Sequence, residues 1–225
     1  MFALLTSGYL TIIIYVERLR IGRILGLGEH PVVEPYDPLS YDNLAQSVVG
    51  ALMAQTPQRL PPSEPFEGSG VYAIYYLGGF RAYNPIALRD CTHPIYVGKA
   101  IPTGARKGND AGAPPGGSPL YRRLREHAES ITQARNLALD DFRCRYLVVV
   151  PVWITLAERF LVSHYRPVWN VTVDGFGNHD PGRGRRNMRR PLWDIIHPGR
   201  PWAAKLRAAH TAQDVLATVE EFLKS

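Results

Sequence analysis

Two short apolar segments constrain the fold more than anything else in the chain: GVYAIYYLG at residues 70–78 and PIYVGKA at residues 94–100. Both are rich in β-branched and aromatic residues, so both read as strands. Each also sets a tyrosine beside a glycine, which a strand does not need. On the first, alternation sends Tyr72, Ile74 and Tyr76 to one face and Val71, Ala73 and Tyr75 to the other. Tyr72 and Tyr96 can then meet across neighbouring strands.

The surrounding pattern supplies helices and one more strand. Ser40 can cap a helix from Tyr41 to about Gln55, with Leu44, Val48 and Leu52 as its buried stripe. A proline-rich run ends it before the first strand. After the second strand, IPTGARKGNDAGAPPGGSP is too long for a hairpin turn and too poor in apolar residues to build a core. PLYRRLREHAESITQARN enters a helix on proline, with Leu120, Leu124, Ala128 and Ile131 on one side. FRCRYLVVV predicts a third strand whose valines, Val148 to Val150, form a buried end. VWITLAERFLVSHYR predicts a helix closed by Pro167, and TAQDVLATVEEFLKS a final one with Val215, Val219, Phe222 and Leu223 inward. The core order β-β-α-β-α predicts an α/β (α+β) fold: a small mixed or antiparallel sheet flanked by helices.

Charge is unevenly spread over this net +6 chain. Residues 29–67 carry six acidic side chains and one basic, whereas residues 175–207 carry eight Lys or Arg against Asp180 and Asp194. A concentrated basic segment is the footprint of a polyanion. Cys91 and Cys144 match no zinc or redox spacing, which suggests a reducing, cytoplasmic setting; Cys144 reads as a buried small hydrophobe and Cys91 as part of a polar loop. The apolar run in GYLTIIIYVERLR is about nine residues, short of the roughly twenty a membrane span needs. It lacks the basic flank of a signal peptide, so no membrane partner is expected and residues 1–28 stay unassigned.

Several chemistry-bearing residues follow the strands in order. Arg123 and His127 lie four apart on one helix and share a face, expected to look away from much of the Leu120 and Leu124 stripe. Glu158 is a lone carboxylate in the apolar helix WITLAERFLV, where a metal or Arg159 would have to satisfy it. Asn170 comes twelve residues later. With Gly70-Val71-Tyr72 and Tyr96-Val97-Gly98 as paired triplets, this pattern resembles the GIY-YIG nucleases. It is most similar to their type II restriction branch cutting CCGCGG, which shares the histidine in the arginine helix, the long loop after the second triplet and a GFGNHDPG-like segment.

The resemblance implies Mg²⁺-dependent hydrolysis of double-stranded DNA at a short palindromic, G·C-rich site by a homodimer. It implies Tyr72 as general base, Tyr96 and His127 as groups orienting the nucleophile, and Arg123 as the phosphate clamp. Glu158 would be the metal ligand, and Asn170 would hold phosphate or a water. A free tyrosine is a poor base at neutral pH, so nearby cations, such as Lys99 or Arg123, would have to favour phenolate. Lys99 could also touch phosphate. Arg183, Arg185, Arg186, Arg189 and Arg190 fall within eight positions, and with Arg106 and Lys107 of the long loop they are the expected DNA contacts. No His or Cys cluster accompanies Asn178, His179 and Asp180, so a metal is not expected there. The expected organisation is a 1–67 extension for dimer or DNA contacts, a 68–174 nuclease core and a basic 175–225 extension. A repair or homing nuclease, and a non-catalytic DNA-binding regulator on the same scaffold, are the competing readings.

Overall fold

The strand expected at VYAIYYL runs from Gly70 to Tyr76 and is buried along its whole length. It is the interior strand β2 of a four-stranded antiparallel sheet of order β1-β4-β2-β3. β1 is Gln58–Arg59, β3 is Tyr96–Ala100 and β4 is Phe142–Val148. The computed structural model describes residue 37 and residues 39–102, 117–180 and 188–224, and Leu39–Ser225 cluster as one unit. β1 sits inside the proline-rich run and has only its pairing with Arg143 and Cys144 to define it. Two residues carry no periodicity, so nothing local announces such a strand.

Alternation along β2 divides the interior in two. Tyr72, Ile74 and Tyr76 join one core with Leu120, Leu124 and Ile131 of α2 (Pro119–Gln133). Val71, Ala73 and Tyr75 join another with Leu52 of α1 (Tyr41–Met53) and Ile154, Ala157 and Leu161 of α3 (Pro151–Tyr165). The first core also takes in Val168 and Trp169 of α4 (Val168–Val171) and Trp193 and Ile196 of α5 (Leu192–Ile196). Val215 and Val219 of α7 (Ala212–Phe222) complete it, while the one-turn α6 (Pro201–Ala204) lies between α5 and α7. The segment after residue 175 thus packs into the same core as the sheet rather than standing apart from it.

Local chemistry sets the element ends. The Asn43 N–H donates to Ser40 Oγ at 3.3 Å and caps α1. Thr211 and Asp214 form a reciprocal capping box on α7. Arg166 in the left-handed conformation and Pro167 stop α3.

Four expectations need correction. α1 ends at Met53, and of its predicted stripe Leu52 is buried while Leu44 and Val48 are half-buried along an apolar groove. The valine end of β4 is not buried: Val148 and Val150 are exposed, because the strand leaves the sheet there and turns into α3. Cys91 is buried, held at positive φ in a turn against the α1–α3 core. His127 lies within the apolar stripe of α2 instead of away from it. Both cysteines are free thiols. Among the described residues no helix is long and apolar enough to cross a membrane.

Candidate active site

The glycine of the second triplet answers why each strand pairs a tyrosine with a glycine. Tyr72 faces Gly98 across β2 and β3. A Cβ at Gly98 would collide with the Tyr72 hydroxyl and ring, so only glycine lets the phenol lie across β3. Tyr96 pairs with Ile74 on the same face as Tyr72, which brings the two tyrosine rings to 6.2 Å.

α2 supplies the next partner. His127 Nε2 lies 2.6 Å from the Tyr72 hydroxyl, both groups fully buried. Phe176 stacks on the imidazole at 4.6 Å and touches Tyr96 at 5.0 Å. Burial, reinforced by the charge of Arg123, holds His127 well below its ordinary pKa, so the ring is neutral. Burial, with Tyr96 adding to it, pushes the Tyr72 phenol well above its ordinary value, and the Arg123 charge opposes this. Tyr96 is also raised, first by burial. A free phenolate at Tyr72 is therefore disfavoured, but a neutral imidazole with a bare Nε2 can accept its hydrogen.

Arg123 projects from the same helix, one turn before His127. Its Nη2 donates to the Gly177 carbonyl at 2.9 Å, and its Nη1 donates to Glu126 Oε2 at 2.9 Å and contacts His179 Nε2. His179 is exposed and also lies 3.5 Å from Glu126. The GFGNHDP segment therefore folds over the arginine from the far end of the core.

Glu158 occupies the other side of β3. It extends from α3, and its Oε2 pairs with Lys99 Nζ at 2.6 Å. Lys99 thus pairs with this carboxylate. Its charge is felt at both Tyr72 and Tyr96, raising each, so the cluster straddles the edge strand at the gap left by Gly98. The carboxylate is 24% exposed and presents a hard oxygen donor to solvent. Among the described residues no group of three or more His, Cys, Asp or Glu converges as a metal cage. A single carboxylate suits an ion that keeps most of its waters, as Mg²⁺ does.

Asn170 does not point at this gap with a free amide. Its Oδ1 accepts from the Val97 N–H and its Nδ2 donates to the Val97 carbonyl, both at 2.8 Å. The side chain imitates a neighbouring strand and pins the outer edge of β3 between Tyr96 and Gly98. This pairing gives Asn170 a positioning role, and the second N–H of Nδ2 and the second lone pair of Oδ1 stay available to a phosphate or a water.

The expected DNA contacts divide. Arg106, Lys107, Arg183, Arg185 and Arg186 lie outside the described residues. Arg189 is exposed. Arg190 is half-buried, and its guanidinium donates to the carbonyls of Ala203 and Ala204 at 3.1 and 2.9 Å, capping α6. His179, Gly177, Phe176 and Glu126 were not singled out as site residues by sequence. The GFGNHDP run signals the first three, but no spacing tells which helix it covers, and Glu126 lies in that helix one residue before His127.

A family model described as Eco29kI GIY-YIG domain matches residues 64–223 of the chain. No curated protein gives a match.

Proposed function

We propose that this chain, which belongs to the Eco29kI GIY-YIG family and is therefore a nuclease of the GIY-YIG type, is a restriction endonuclease. It cuts both strands of duplex DNA at a short, palindromic, G·C-rich site, with Mg²⁺ bound through Glu158. The observation that carries this reading is the Tyr72–His127 contact of 2.6 Å, with Tyr96 and Arg123 gathered on it.

Tyr72 receives a proton from the attacking water as it passes its own proton to His127 Nε2. This relay avoids a standing phenolate, which burial disfavours. The imidazolium it creates is costly beside Arg123, and the incoming phosphodiester charge offsets that cost. Arg123 gives up contacts with Glu126 and His179 to hold the phosphate oxygens in a two-point clamp. Tyr96 orients the water, and Asn170 keeps β3 in register so that Tyr96 and Gly98 stay in place. Bound at Glu158, Mg²⁺ would neutralise phosphate charge and stabilise the leaving oxygen. Lys99, which pairs with Glu158 in the structure, would then be available to the DNA backbone.

A palindrome presents two equivalent scissile bonds, and a two-fold homodimer places one such site on each strand. Supercoiled plasmid incubated with the protein and Mg²⁺ should yield discrete fragments, and EDTA should abolish them. Sequencing the fragment ends reads the site and stagger. Random nicking would instead indicate a repair-type nuclease, and intact plasmid a DNA-binding regulator.

A further inference from the structure

We propose that Arg200, remote from the phosphate site, is a positioning residue that sets the Arg123 clamp through the loop between them. This rests on the nuclease reading above. Arg200 is buried, 2% exposed, and sandwiched between Trp193 and Trp202 with its guanidinium carbon 4.6 and 4.7 Å from the ring centres.

A guanidinium has five N–H donors in a rigid plane, and here every one has an acceptor. Nε and Nη2 donate to the two carboxylate oxygens of Asp194, the first at 2.7 Å. Nη1 donates to the carbonyls of Phe176 and Asn178 at 3.1 and 3.0 Å, and Nη2 also donates to that of Gly175 at 2.9 Å. The carbonyl between them, that of Gly177, accepts instead from Arg123. The two arginines therefore divide one short loop. Arg200 grips residues 175, 176 and 178 from beneath, and the remaining carbonyl is turned up onto the clamp. The same grip delivers Phe176 onto His127 and His179 onto Arg123.

A buried ion pair is not needed for stability, since well-packed apolar groups of similar volume often serve as well. What an apolar pair cannot do is orient three carbonyls. Gly177 fits this account: a Cβ there would press on the Tyr96 hydroxyl at 2.9 Å and on Arg123 Nη2 at 3.1 Å.

The test uses Arg200→Lys, which keeps charge but not the planar fork. Full-length R200K should still fold, with a lowered melting temperature, and bind cognate duplex in EDTA with a Kd within about threefold. Its single-turnover cleavage should be slower by roughly 10- to 100-fold, as a small misplacement of a clamp predicts. The double variant R200K with Gly177→Ala should be no slower than the slower single variant, because both act through one loop. Losses that multiply, a wild-type rate in R200K, or a Kd loss equal to the rate loss would each overturn the proposal. If R200K does not fold, Asp194→Asn removes one anchor bond and should slow cleavage with Kd retained; a wild-type rate there overturns it equally. A wild-type protein that cuts no DNA would refute the nuclease reading itself, whereas failure of this inference alone leaves wild-type cutting intact.

Discussion

Tyr72 lies across Gly98, its directly paired residue on the neighbouring strand, and fills the space where any other side chain would begin. The phenol reaches His127 because β3 offers no Cβ to lift it away. Gly98→Ala should therefore do two things at once. Overpacking should destabilise the fold by about 1–3 kcal/mol, measured by urea melts. Displacing the hydroxyl from His127 should slow single-turnover cleavage roughly a hundredfold. A G98A protein that cuts at the wild-type rate would refute the assignment of Tyr72.

Glu158→Gln keeps the shape of the side chain and removes its charge. It should lower cleavage by about a thousandfold, since an ion neutralising the phosphate lowers the barrier by several kcal/mol. DNA affinity in EDTA should change by no more than a few-fold, and gel-shift and single-turnover assays on the same preparation separate the two. Full activity in E158Q would remove the metal from this carboxylate.

Acid sensitivity follows from two buried histidines. Burial holds His197 down to about 3, against about 6.5 for an ordinary histidine, and holds His127 well below the same value. Between those limits the unfolded chain binds more protons than the folded one. Stability is therefore intact above about pH 6.5 and falls as the pH drops toward about 3, by at most about 1.4 kcal/mol per pH unit for each histidine. Urea melts from pH 7 to pH 4 should show this slope, and His197→Gln should lessen it by about one proton. An unchanged slope in H197Q would mean that His197 is not held neutral by the fold.

Arg189 and Arg190 are neighbours with opposite fates. Arg189→Ala should weaken DNA binding and reduce the slope of log K against log salt by about one. Arg190→Ala should leave that slope unchanged and lower stability by about 1–2 kcal/mol through loss of the α6 cap. Salt titrations of binding alongside thermal melts distinguish the two, and a salt-slope change in R190A would restore it to the DNA face.

Much of the frame was legible because its signals are local. Period-two alternation in VYAIYYL separates the two cores, and the helical stripes of α2 and α7 point as they must. The failures share one cause. His127 sits in the apolar stripe of its helix, where a titratable group is expected to be excluded; its place follows from a buried hydroxyl on another strand that pairs with it. Asn170 also has a part that a linear reading misses: one N–H and one lone pair of its amide hold a strand edge that is unpaired only in the folded sheet. Arg190 belongs to a run of like residues, and only the carbonyls of Ala203 and Ala204 distinguish it from the others.

The amino-acid order by itself determined the two tyrosine strands, the arginine helix, the lone acid and the basic segment, because strand and helix periods and net charge are properties of neighbours in the chain. Tertiary structure alone decided that a glycine makes room for a phenol, that Lys99 pairs with Glu158, and that Arg200 holds the loop resting on Arg123. Those contacts join residues between 22 and 59 positions apart, and a hydrogen bond or a steric gap depends on distance in space, which separation along the chain does not encode.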